Sequence, residues 1–320
     1  MFVFNMDKKK LEPVYTLCSE IPSVYSLLFW NNSDKDVILC GTKSGAVYTW
    51  DLDNARITNK PQFEIGTSPC VSLSDSDDIL VTQDKLGSVK LWQETPCGWT
   101  EIKSFHLDHT GFCRVDVSNL YDNLAALPRH KGGLDIYNLK SYEKVTSLND
   151  SDTDVYEQLG ELMACKLITI SGVTYVIAAY ENEELCLWDL RKEGVVSKHK
   201  LPGCPTSLEF DNETGKGVCG NSSSQVPIFS VDKAGTFSTR STVKLKCRGV
   251  GCIRMKPDKS YVVAGCWNKL IQTHNRLASA LSNGDIPLRQ LTKEGPSLHL
   301  LWALIAKRRK PLTADIPPFF

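Results

Sequence analysis

One unit occurs five times along this 320-residue chain: an apolar strand, a short polar turn, and a second apolar strand that closes on an aromatic. It reads ILCGTKSGAVYTWDL from Ile38, ILVTQDKLGSVKLWQE from Ile79 and NLAALPRHKGGLDIYNL from Asn123. It continues as VIAAYENEELCLWDL from Val176 and KGVCGNSSSQVPIFSV from Lys216. The closing aromatics Trp50, Trp92, Tyr137, Trp188 and Phe229 are spaced by 42, 45, 51 and 41 residues. The apolar runs are nearly continuous, which predicts strands covered on both faces. Turns such as Lys43-Ser44-Gly45 and Asn221-Ser222-Ser223 separate them. A unit of this kind buries its faces only by stacking on its neighbours, so the chain must form an array.

Each unit expands to four strands, a to d. In the fourth these are CKLITI from Cys165, YVIAAY from Tyr175, ELCLWDL from Glu184 and VVSKHKL from Val195. Other strands a are SVYSLLF from Ser23, CVSLSD from Cys70, FCRVDVS from Phe112, PTSLEF from Pro205 and GCIRMKPD from Gly251. The closing aromatics have the size to fill the wedge between blades, where burial is worth about 1.5–3 kcal/mol each. All five are therefore expected in the core.

A period of roughly 40–45 residues with Trp-Asp endings is that of WD40 blades. The expected fold is all-β, a WD40 β-propeller that is nominally seven-bladed, with six blades recognisable. Residues 1–11 form an N-terminal extension, 12–274 the propeller and 275–320 an atypical tail. The segment PVYTL from Pro13 has no blade of its own, and is expected to close the ring as strand d of the last blade. The sixth blade opens with GCIRMKPD and YVVAGCWNKLIQTH, but His274 stands where the next aromatic is due. The tail contains PSLHLLWALIAKRRKP, with Leu298, Leu301, Trp302 and Ile305 at helical spacing between Pro296 and Pro311. An amphipathic helix over 296–309 is expected in place of regular strands.

Lys+Arg and Asp+Glu are both 37, so the chain lacks the global basic field of a nucleic-acid binder. No run reaches the roughly 20 apolar residues of a membrane span, and MFVFNMDKKKLEP does not read as a signal peptide. The 12 cysteines include no CxxC and no zinc spacing, and Cys40, Cys186 and Cys219 fall inside strands. Reduced structural thiols and a cytoplasmic or nuclear location follow as expectations. Gly215-Lys216-Gly217 lacks phosphate-loop spacing and no G-x-S-x-G elbow occurs. The reading is a non-enzymatic chain without cofactor or metal, binding proteins and not membrane or nucleic acid.

On a propeller, binding residues belong on the d–a and b–c loops of one rim. Asp108, His109, Arg129, Tyr180 and Trp267 are the large side chains expected to be exposed there. His106, Asp108 and His109 form the densest polar trio, best read as loop groups bonding to structural partners. Trp267, in a b–c turn, is either an inter-blade wedge or a binding hot spot. The run from Ser74 to Asp78 is expected as an exposed a–b turn, and Asn149 to Asp154 as a long polar loop that accounts for the 51-residue spacing. Lys307-Arg308-Arg309-Lys310 is expected as a solvated helix end.

Several rarer segments follow one another in a characteristic order. They are His109-Thr110-Gly111-Phe112-Cys113-Arg114, AAYENEELCLWDL, SLEFDNETGKGVCG and IRMKPDKSYVVAGCWNKLI. Together they resemble the G-protein β-subunit-like protein 1 family, a divergent WD40 group related to the fungal ASTRA-associated protein. The resemblance covers residues 12–272, and the tail departs from the family beyond that point. It implies a scaffold without enzymatic activity, monomeric outside its complexes. It also implies an adaptor role beside the TTT complex in the co-chaperone route that matures PI3K-related kinases. A second reading is a recognition module for a peptide or histone tail in a chromatin or ubiquitin-ligase complex. That reading needs acidic and aromatic residues ringing the central channel.

Overall fold

The repeated apolar runs form antiparallel sheets in a computed structural model. It describes residues 2–4, 13–16, 19–30, 37–54, 56–57, 61–111, 113–118, 123–148, 157–192, 194–246, 248–255, 262–268, 270–274 and 290–294. Blade 1 has strand a at Val24–Trp30, b at Val37–Thr42 and c at Ala46–Asp51. Its d edge comes in two pieces, Arg56–Ile57 and Phe63–Glu64, both paired with c. Blade 2 runs through Cys70–Ser76, Ile79–Asp84, Ser88–Thr95 and Gly98–His106. Blade 3 comprises Asp116–Ser118, Leu124–Pro128, Leu134–Asn138 and Lys144–Leu148. Blade 4 comprises Leu162–Ile170, Val173–Tyr180, Glu184–Asp189 and Gly194–Lys200. Blade 5 follows at Pro205–Asp211, Lys216–Asn221, Gln225–Val231 and Phe237–Lys244. Blade 6 holds Val250–Met255, Val262–Cys266, Leu270–His274 and Gln290–Glu294. Strands a touch in series from blade 1 to blade 6, as in a propeller.

Two bulges recur. In blades 1, 2, 4, 5 and 6 the a–b register shifts near the start of strand a, for example between Leu162 and Ala164. In blades 2, 3, 4 and 5 the c–d register shifts just before the closing aromatic, as between Leu187 and Trp188. An extra residue sharpens the local twist, so the bulges repeat with the blade.

The core lies between blades. Trp92 packs with Trp30, Val37 and Leu39 of blade 1, and its ring centre is 4.4 Å from that of Phe63. Trp188 packs on Leu124, Ala126 and Ile136 of blade 3, and Phe229 on Ile177 and Leu187 of blade 4. Tyr137 is half-buried against blade 2, 4.7 Å from Phe105 between ring centres. Trp50 is buried within blade 1. Each of the last four repeats thus wedges its aromatic into the blade before it.

Three expectations are corrected. Pro13–Thr16 does not close the last blade; it pairs with Phe2–Phe4 in a two-stranded ribbon, so the N-terminal extension itself carries a strand. The tail contributes Gln290–Glu294, paired antiparallel with Leu270–His274. It therefore completes blade 6 where no strand was expected, because unpaired edge groups of strand c recruit any segment able to extend beside them. Not every thiol is reduced: Cys266 is disulfide-bonded, whereas nine of the described cysteines are free. The helix expected over 296–309, the basic run Lys307–Lys310 and the loop at 149–154 lie outside the described residues.

Candidate functional site

Strand a enters each blade from the d–a loop and strand b returns toward the same end, so d–a loops and b–c turns share one face. The backbone ties them together. The first residue of a b–c turn donates its N–H to the carbonyl before strand a: Lys43 to Ser23 (2.8 Å), and Lys85 to Pro69, Glu181 to Glu161, Ser222 to Cys204 and Trp267 to Gly249 (each 2.9 Å). Lys43, Lys85, Glu181, Ser222 and Trp267 are therefore equivalent positions around the mouth of the ring.

Trp267 is 53% exposed, so about half of its surface faces solvent. It is nevertheless held. Gly249 has φ +77, and a Cβ there would fall 2.2 Å from Trp267 Cε3, so the indole lies directly on glycine backbone. Trp267 also borders a central cavity of about 710 Å³, beside Met163, Cys204, Thr206 and Ser222.

Of the other expected rim residues, Asp108 is exposed and Arg129 is half-buried, its Nε 3.6 Å from Asp135 Oδ1. His109 and Tyr180 are not exposed. His109 is packed onto the Gly111 backbone, where any Cβ would meet its ring at 2.4 Å. Burial lowers its pKa, with Glu161 opposing and His130 adding to the shift. Tyr180 is 1% exposed and donates its hydroxyl to the Gly132 carbonyl at 3.2 Å, linking blade 4 to blade 3. It ends a strand b whose last five residues are all buried, and its size made it look like a rim group. Among the described residues no three of His, Cys, Asp and Glu cluster as metal ligands. The basic turn residues Lys43 and Lys85 escaped the sequence reading. Their signal was the shared position immediately after strand b.

The cavity is lined by strands a of all six blades. Leu28, Ser74, Asp116, Lys166, Glu209 and Arg254 hold equivalent registers there. Asp116 Oδ1 accepts from Lys166 Nζ at 2.8 Å and its Oδ2 from the Leu167 N–H at 2.7 Å. Arg254 Nη1 donates to Glu209 Oε1 at 2.6 Å. Burial works against the Lys166 ammonium, but Asp116 and Glu209 outweigh it and hold its pKa above the ordinary value. Of the three carboxylates lining the cavity, Asp75, Asp116 and Glu209, the last two are thus engaged between blades, and Trp267 is the sole aromatic lining it among the described residues. Among the described residues the wall presents a single aromatic, and two of its three carboxylates face basic partners.

No family model matches the chain. A mouse protein, guanine nucleotide-binding protein subunit beta-like protein 1, is 22% identical over 243 residues, 74% of this chain and 74% of the relative. The Myceliophteria thermophila Cps50 (Swd1) β-propeller domain superposes with a TM-score of 0.69 at 17% identity, covering 87% of this chain and 88% of that one. A chain of the mitotic checkpoint complex does so with a TM-score of 0.65 at 12% identity, covering 83% and 81%. Repeat, blades and likeness agree: the chain has the fold of a WD40 β-propeller and is similar in sequence to guanine nucleotide-binding protein subunit beta-like protein 1.

Proposed function

We propose that this propeller is a non-enzymatic scaffold joining proteins through the face that carries its d–a loops and b–c turns. The observation that carries the reading is Trp267, an exposed indole fixed on Gly249 at the mouth of the cavity. Large aromatics already ordered before binding lose little entropy when a partner covers them, which is why they recur as hot spots. The likeness to the mouse relative across three quarters of both chains supports a finer reading. In it the chain is an adaptor beside the TTT complex for PI3K-related kinases, in cytoplasm or nucleus. The alternative, a histone-tail reader, finds less support in a channel where two of three carboxylates, Asp116 and Glu209, are paired with basic side chains.

Affinity capture with the tagged full chain, read by mass spectrometry, tests the proposal. Recovery of TTT components and immature PI3K-related kinases, lost in Trp267→Ala at unchanged Tm, is the expected result. Recovery of histones or a ubiquitin-ligase scaffold in their place would overturn the adaptor reading.

A further inference from the structure

The loop face is electrically divided. On blades 1 and 2 the b–c turns expose Lys43 and Lys85, and the loop entering blade 6 exposes Lys246 and Arg248 beside Trp267. Among the described residues none of these four cations has an ion-pair partner. Blade 4 is the opposite pole. Its entry loop and b–c turn carry Glu157, Glu161, Glu181 and Glu183, with Glu183 Oε2 3.9 Å from Lys200 Nζ. Leu86, 60% exposed, sits next to Lys85 on the same face.

Resting on the scaffold reading above, we infer that this face receives a short acidic segment of a partner protein bearing a large apolar side chain. The apolar group seats against Trp267, and the carboxylates meet Lys246 and Arg248 beside it and Lys43 and Lys85 across the mouth of the cavity that blades 1, 2 and 6 all line. Blade 4 repels that charge and sets where the segment stops. The pairing is a matter of complementarity: like charges juxtaposed on blade 4 penalise wrong placements, while opposite charges speed and orient the right one. A nucleic-acid strand fits less well. Its charge continues at every nucleotide, the acidic blade interrupts the track, and the chain as a whole carries no net positive charge.

Panning a random dodecapeptide display library on the full chain tests the inference. Enriched peptides should be net acidic with one large apolar residue, and their binding should weaken as salt rises. Lys43→Glu with Lys85→Glu should reduce affinity about tenfold or more, as should Trp267→Ala, while Trp267→Phe keeps most of it. Each variant is compared at matched Tm. Enrichment of neutral or basic peptides, no enrichment, undiminished binding to the charge-reversed variant, or stronger binding of an oligouridylate would each overturn it. If these fail while affinity capture still yields Trp267-dependent proteins, the acidic-segment inference falls and the scaffold reading stands. Loss of both removes both.

Discussion

Two indoles, Trp92 and Trp267, show how neighbours decide a residue's role. Trp92 is 6% exposed, donates Nε1 to Thr82 Oγ1 at 3.0 Å and lies against Phe63 of the preceding blade. Trp267 follows strand b instead of ending strand c, and has a glycine below it and solvent above. Trp92→Ala should cost about 3–5 kcal/mol in urea unfolding, through the cavity it leaves. Trp267→Ala should stay within about 1 kcal/mol. Equal losses would mean that Trp267 is also a wedge. His109 offers a second test. Burial places its folded pKa below the ordinary 6.5. The unfolded chain therefore takes up a proton first as pH falls, so stability is complete above 6.5 and declines as pH drops toward the folded value. His109→Gln should flatten the loss of unfolding free energy between about pH 8 and about pH 5.5. An unchanged slope would show that other groups cause it. Trp92 was legible as core from its spacing, whereas the burial of His109 was not. That depends on a glycine two residues on, whose consequence appears only once the loop is folded.

At the scale of strands and turns, the recurring Trp-Asp ending has a local cause. Asp189 Oδ1 accepts the Arg191 N–H at 2.9 Å, and Asp51 Oδ1 accepts those of Asp53 and Asn54 at 3.0 and 3.1 Å. In blade 3 Asn138 does the same for Lys140 and Ser141 at 2.8 and 2.9 Å. A short polar side chain just after the aromatic thus closes the c–d turn. The motif records two needs at once, a wedge and a cap. Strands a obey a different need, since their polar members bond across blades. Asp116→Ala should destabilise by about 2 kcal/mol, because it strands a Lys166 ammonium that is only 25% exposed in its side chain. Adding Lys166→Met should restore much of that loss, measured by urea unfolding of the single and double variants. A double variant no better than the single would assign the loss to the Leu167 N–H bond instead. The strands themselves were readable because apolar runs bounded by polar turns depend on nearby residues. The inter-blade pairs were not, since Asp116 and Lys166 lie 50 residues apart and meet only through blade order.

For the whole molecule, the sequence pattern fails where the architecture still continues. Blade 6 loses its aromatic at His274, yet Gln290–Glu294 pairs along Leu270–His274 from Leu270↔Glu294 to His274↔Gln290. That strand shows no repeat signature because an outermost strand needs only extended backbone on one side and tolerates polar side chains. The same tolerance hid the place of Pro13–Thr16, which pairs with Phe2–Phe4 and, among the described residues, with no blade. The two pairings differ in what they protect, and truncations should separate them. Ending the chain at Arg289, just before Gln290, uncovers strand c of blade 6 as a flat edge beside a buried strand b. Lower Tm and concentration-dependent aggregation are expected, with Tm falling about 2–4 °C for each kcal/mol lost. Deleting residues 1–16 removes a ribbon that pairs only with itself among the described residues, and should change Tm less. Light scattering and thermal melts of both truncations decide the matter. If loss of the N-terminal ribbon is the more damaging, ring stability rests on that segment and not on the fourth strand of blade 6.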